Sequence, residues 1–129
     1  MRRWFGDMFT AKSDPAVVAS VVTRAERLPR ATGEMILLDM VQYDVHRLAT
    51  AMAILRIPVM TMQTTYSNER RERRSMSAGQ STPYLQMLRA CIPTVCIEVI
   101  PDTGHFLQIE ERGWTSALLD SFCATLAVH

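Results

Sequence analysis

Val95-Cys96-Ile97-Glu98-Val99-Ile100-Pro101-Asp102-Thr103-Gly104-His105-Phe106 is an apolar, strand-like run that breaks at a Pro-Asp-Thr-Gly turn and presents a histidine. The six residues Val95 to Ile100 predict a buried strand, and the turn residues after Ile100 end it. Imidazole titrates near neutrality, so a histidine held on such a turn can take a proton from a hydroxyl and later return it to a leaving group.

A second strand is predicted upstream at Ile57-Pro58-Val59-Met60-Thr61-Met62, with its proline at the strand entrance, where no ladder hydrogen bond is lost. A long connection follows through Glu69-Arg70-Arg71-Glu72-Arg73-Arg74 and Gly79. Thr82-Pro83 then has the form of a helix cap and first helical position, opening a helix that carries Tyr84, Leu85, Leu88 and Cys91. Beyond the histidine, Trp114 to Val128 forms a last helix with Leu119, Phe122, Cys123 and Leu126 on one face. Strand, helix, strand, helix implies two parallel strands joined by a right-handed crossover. Two strands make a poor sheet, because parallel strands need cover on both faces and neighbours on both sides.

The first 56 residues have a different, helical period and are read as one region, 1–56, set against 57–129. Asp14 can cap a helix, Pro15 suits its first turn, and Val17, Val18, Val21, Val22, Ala25 and Leu28 recur at one-face spacing. After Pro29 and Gly33 comes a second helical stretch with Met35, Ile36, Leu38, Met40 and Val41, then a third through Leu48, Met52 and Leu55. Methionine fills irregular gaps and adapts to varied ligands, so these helices can cover a substrate cavity or serve as ordinary core.

Composition excludes several classes. The chain has 129 residues, 48% hydrophobic and 21% charged, with a net charge of +1, which fits one globular unit and gives no strong attraction to nucleic acid or acidic membranes. No apolar run approaches the roughly 20 residues of a membrane span, and Met1-Arg2-Arg3-Trp4-Phe5-Gly6-Asp7 lacks the apolar segment of a secretory signal, so a cytoplasmic location is expected. Cys91, Cys96 and Cys123 have neither CxxC nor His/Cys ligand spacing and are read as reduced core cysteines. The arginine cluster is tempered by two glutamates and has no interleaved aromatics, so it is expected to be a solvated loop or helix face. His46 and His129 have no metal-ligand spacing with a carboxylate or cysteine and are read as surface residues; neither metal nor cofactor is expected.

Tyr43-Asp44, Leu48, Ile54, Ile57-Pro58-Val59-Met60, and Pro101-Asp102-Thr103-Gly104-His105-Phe106-Leu107-Gln108-Ile109-Glu110 with the final amphipathic helix together resemble the lid and C-terminal part of the α/β-hydrolase family. The resemblance covers nearly the whole chain, is specific at His105 and diffuse elsewhere. It implies an α/β class, the C-terminal portion of a hydrolase fold, with a helical lid followed by strand-helix-strand-helix. It also implies that His105 is the catalytic histidine of a complete enzyme acting on a small apolar or acyl substrate. In that fold the triad runs nucleophile, acid, histidine along the chain, which agrees with a histidine after the final strand and before one helix.

The other triad members are missing from the sequence. A GxSxG elbow needs two glycines four apart, and Gly6, Gly33, Gly79, Gly104 and Gly113 include no such pair. Ser77, in Ser75-Met76-Ser77-Ala78-Gly79, follows a charged run rather than a buried strand and is set aside as a nucleophile; the three cysteines do not lie on sharp turns. At the position where family members often place aspartate, the loop after the first strand reads Gln63-Thr64-Thr65-Tyr66-Ser67-Asn68-Glu69; Asn68 holds no charge, Glu69 is followed by arginines, and Asp44 reads as a cap or surface carboxylate. Two expectations follow. The chain is a truncated or split hydrolase portion, inactive alone and prone to oligomerise or to need a missing N-terminal half; alternatively, it is a noncatalytic module that binds a partner or apolar ligand through its methionine-rich helices.

Overall fold

The computed structural model describes residues 5–126. His129 and the predicted helix end at Val128 lie outside the described residues. Helix α1 (Pro15–Glu26) starts as its sequence predicts, with Asp14 Oδ1 accepting from the Ala16 N–H at 2.7 Å and Pro15 in the first turn. Pro29 precedes α2 (Arg30–His46), and Arg47 breaks the path before the short α3 (Leu48–Ala53).

Strand β1 (Met60–Gln63) pairs in parallel with β4 (Cys96–Val99), Met60 opposite Cys96 and Gln63 opposite Val99. Between them lie a hairpin and α4 (Pro83–Cys91), whose cap Thr82 accepts from the Leu85 N–H through its Oγ1 at 3.2 Å. The molecule is therefore a mixed α/β structure with a small parallel sheet. After β4 come a single helical turn, α5 (Leu107–Glu110), and α6 (Arg112–Leu126), so the last helix begins two residues before the expected Trp114.

The long connection is where the sequence reading needs correction. Strands β2 (Thr65–Ser67) and β3 (Arg73–Ser75) form an antiparallel hairpin, Thr65 opposite Ser75. Its tip is organised by Asn68, whose Oδ1 accepts from the Arg70 and Glu72 N–H groups at 3.0 and 2.9 Å, while Arg71 takes φ 59°. The arginine cluster is thus a hairpin tip plus a returning strand, and Arg73 is half-buried. Cys123 is exposed, which corrects the expectation of a core cysteine there, whereas Cys91 is half-buried and packs against the core cluster and Cys96 is half-buried in β4; all three are free thiols.

The core is small. Met76, Leu85, Leu88 and Ile92 form a buried cluster against which Met52, Leu55, Val59 and Ile97 pack, so α3, β4 and the residue before β1 rest on the core that α4 carries. Helix α2 is the opposite case. Met35-Ile36-Leu37-Leu38 runs round every side of the helix and all four are exposed, Leu38 at 63%. Helices apolar all round belong in an interior, and an apolar surface of this extent marks a place where something else packs.

Two substitutions separate these regions. Leu85→Ala, at a side chain with no exposed surface, is expected to cost about 2–5 kcal/mol in chemical denaturation. Leu38→Ser is expected to change stability by less than about 0.5 kcal/mol while reducing light scattering at a given concentration.

Candidate functional site

The turn that carries His105 is built by its own residues. Asp102 takes φ 52°, a left-handed conformation that aspartate tolerates, and its N–H donates to Met76 O at 3.1 Å, anchoring the turn to the end of the hairpin. Thr103 is fully buried, with its Oγ1 donating to Pro101 O at 2.9 Å.

Gly104 answers a packing demand. A Cβ at this position would meet Met8 O at 2.6 Å and Glu110 Oε1 at 2.7 Å, so only glycine admits the backbone of the N-terminal segment this close. That segment is then fixed from both sides. The His105 N–H donates to Met8 O at 2.6 Å. The Glu110 carboxylate accepts from the Gly104 N–H, the Thr10 N–H and the Ser13 hydroxyl, each at 2.6 Å, and from the Thr10 hydroxyl at 2.8 Å. Desolvation pushes the Glu110 pKa up, but the hydrogen bonds from Ser13, Thr10 and Gly104 outweigh it and hold the carboxyl below its usual range.

The His105 ring faces Arg73. Arg73 Nη1 lies 3.3 Å from His105 Nδ1 and also donates to Thr65 Oγ1 at 3.0 Å. Guanidinium has donors only, so in this contact Nδ1 is the acceptor and the neutral ring carries its hydrogen on Nε2. Desolvation first, and the Arg73 charge second, hold the His105 pKa below the ordinary imidazole value, although the residue is exposed on its outer side. Arg73 is itself lowered by desolvation, partly offset by the charge of Asp7.

His105 and Arg73 line a cleft of about 270 Å³ with Thr65, Tyr84, Met62 and Leu107, next to the carboxyl end of β1. A larger, more open hollow of about 710 Å³ lies between the hairpin and the start of α4 and does not include His105. We take the smaller cleft as the chemically relevant one, because it alone holds a titratable ring with a displaced pKa.

The remaining sequence candidates are not brought to this cleft. Ser77 sits on an exposed turn with its N–H donating to Gln80 Oε1 at 2.9 Å, and it does not line the cleft. The Asn68 side chain is consumed by its own hairpin tip, Glu69 is exposed, and Asp44 and His46 lie exposed on α2. The Cys96 thiol is pushed up by desolvation and by the Glu98 carboxylate, the wrong direction for a nucleophile. Among the described residues no group of three His, Cys, Asp or Glu side chains could hold a metal ion, and no helix is long and apolar enough to cross a membrane.

Arg73 is the residue that sequence reasoning missed. Its signal was present as a gap in the pattern, since a four-arginine cluster with two glutamates leaves at least one guanidinium to find a partner elsewhere in the fold. No protein-family model, no curated protein and no solved structure matches the chain.

Two outcomes follow from this geometry. Glu110 has a folded pKa below its unfolded one, so its stabilisation is complete above the unfolded carboxylate value and is lost as pH falls through the folded value. Acid titration of stability followed by circular dichroism is expected to show this loss, and Glu110→Gln is expected to remove that component and cost on the order of 2 kcal/mol at neutral pH. For His105, an NMR titration is expected to place its pKa below the ordinary imidazole value of about 6.5. Arg73→Met is expected to raise it only part of the way back, because desolvation, the larger cause, remains.

Proposed function

We propose that this chain is the lid and C-terminal portion of an α/β-hydrolase-type enzyme, truncated or split, in which His105 is the general base for hydrolysis of a small apolar or acyl-bearing ester or amide. The observation that carries the reading is the position of His105. It follows the last strand of a parallel sheet, on a rigid turn, and lines a cleft beside the carboxyl end of β1. Ligands of open parallel sheets bind outside the carboxyl ends of the strands. The exposed α2 supports the lid role, since a lid helix keeps its apolar surface for the body and the substrate it covers.

In such an enzyme a serine Oγ–H gives its proton to imidazole Nε2 as the Oγ–carbon bond forms, and the imidazolium then returns the proton to the departing oxygen or nitrogen. Nε2 must be bare for the first step. With Arg73 donating to Nδ1 the ring has its hydrogen on Nε2, so it cannot accept the proton there. A carboxylate facing Nδ1 is needed to reverse the tautomer, and no described carboxylate bonds to the ring. The nucleophile and the acid therefore come from residues outside this chain, and the chain alone is inactive.

A second reading is favoured by one specific observation, the apolar belt on α2 around Met35 and Met40. It makes the chain a noncatalytic module that binds a partner or apolar ligand through this helix.

The purified chain is expected to show no labelling by a fluorophosphonate probe and no turnover of activated esters above the buffer rate. Joined to the reading frame upstream of the Met1 codon, where that frame supplies a strand, nucleophile turn and helix, it is expected to hydrolyse esters. His105→Gln is then expected to lower kcat on the order of 10²–10⁴-fold. Labelling of the isolated chain that disappears in Ser77→Ala would overturn the proposal. A folded monomer with one cooperative melt would favour the binding-module reading.

A further inference from the structure

The Arg73 guanidinium is unusually placed for a surface arginine. Its side chain is half-buried, no carboxylate among the described residues forms an ion pair with it, and its Nε is buried with no acceptor. Only Nη1 is used, toward Thr65 and His105, which leaves the Nε and Nη2 hydrogens without acceptors among the described residues. A buried donor left unmet carries the full cost of its desolvation, and an uncompensated charge costs more.

The neighbouring ring adds a donor of the same kind. Because Arg73 donates to Nδ1, the neutral His105 presents Nε2–H, and no acceptor for that hydrogen is found among the described residues. Two neighbouring groups with hydrogens to give and none to receive therefore line one cleft of about 270 Å³, whose other walls include the apolar Met62 and Leu107 and the Tyr84 side chain.

We infer that this cleft binds a small organic carboxylate, with its head on the unused Nη2 hydrogens of Arg73 and on the Nε2–H of His105, and its short apolar tail against Met62 and Leu107. The charges match: the guanidinium is cationic, and Asp7, whose charge acts on it, forms no ion pair with it, so a monoanion still finds a cation to meet. The shapes match as well, because a carboxylate offers two coplanar oxygens, one for Arg73 Nη2 and one for His105 Nε2–H. This inference goes beyond the proposed function and does not depend on it, since a carboxylate is held whether or not an ester is ever cleaved.

Titration of the full chain with sodium butyrate at neutral pH, followed by ¹H–¹⁵N NMR with sodium chloride as the ionic-strength control, tests it. Saturable shifts confined to Thr65, Arg73, His105 and their neighbours are expected, with affinity at least about tenfold weaker in Arg73→Gln. Arg73→Lys keeps the charge and loses the planar guanidinium, so it is expected to fall between the two, and His105→Gln is expected to weaken binding while the fold is kept. A drift that does not saturate and matches chloride would overturn the inference. So would affinity unchanged in both Arg73→Gln and Arg73→Lys, or inorganic phosphate binding more tightly than butyrate. Carboxylate binding by a chain whose extended form never hydrolyses esters would sink the hydrolase reading and leave this site standing; ester turnover without carboxylate binding would do the reverse.

Discussion

One carboxylate holds this structure together across almost its whole length. Glu110 accepts from Thr10 and Ser13 on one side and from Gly104 on the other, joining positions 100 residues apart in the chain. Closing a flexible loop of that length costs about 4 kcal/mol in chain entropy. Three neutral hydrogen bonds at about 1 kcal/mol each would not offset it, whereas the three that cross the loop, two from Thr10 and one from Ser13, go to a charged acceptor at about 1.5–3 kcal/mol each and do so. The charge on Glu110 is therefore what lets the N-terminal segment reach the turn. The turn in turn has glycine at 104 because that segment arrives with Met8 O in the space a Cβ would fill. His105 owes its fixed backbone to the same contact, through its N–H on Met8 O.

The second constraint is the imbalance between what the fold buries and what it leaves out. Met76, Leu85, Leu88 and Ile92 are buried, while Met35 to Leu38, Met40, Val41, Ile54 and Ile57 remain exposed. A two-stranded parallel sheet has unpaired backbone on both outer edges. Apolar helix and open edges are both forms of unmet association, and they lie in the parts of the chain that the resemblance assigns to a lid and to the end of a larger sheet.

Much of this order was legible from local chemistry. Asp14-Pro15 and Thr82-Pro83 state a cap and a first turn in two residues each, and both hydrogen bonds form as expected. The apolar runs at 57–62 and 95–100 contain β1 or most of it and β4, and their parallel pairing follows from the helix between them. The hairpin was not legible, because β2 and β3 are three residues each, carry mostly polar and charged side chains, and are held by an Asn68-centred tip rather than by hydrophobic alternation. The one-turn helix α5 is likewise too short to have a period. Within the site, His105 could be found from its turn, but its partner could not. Sequence pattern points to residues that chemistry needs, and it had no means of choosing among four arginines the one that the hairpin folds back onto the ring.

That partner changes what the histidine is. A carboxylate at Nδ1 would accept the ring hydrogen there and leave Nε2 bare as a base; Arg73 at the same atom donates and fixes the hydrogen on Nε2. The same imidazole in the same turn is therefore a proton acceptor or a hydrogen-bond donor toward the cleft according to which charge faces its far side. The hairpin decides this, since β3 brings Arg73 to the ring and Thr65 on β2 takes another hydrogen of the same nitrogen. Base catalysis by His105 consequently requires two changes at once, arrival of a carboxylate at Nδ1 and withdrawal of Arg73. The second is made easier by the first, because a carboxylate that meets the ring also offers the half-buried guanidinium a direct ion-pair partner.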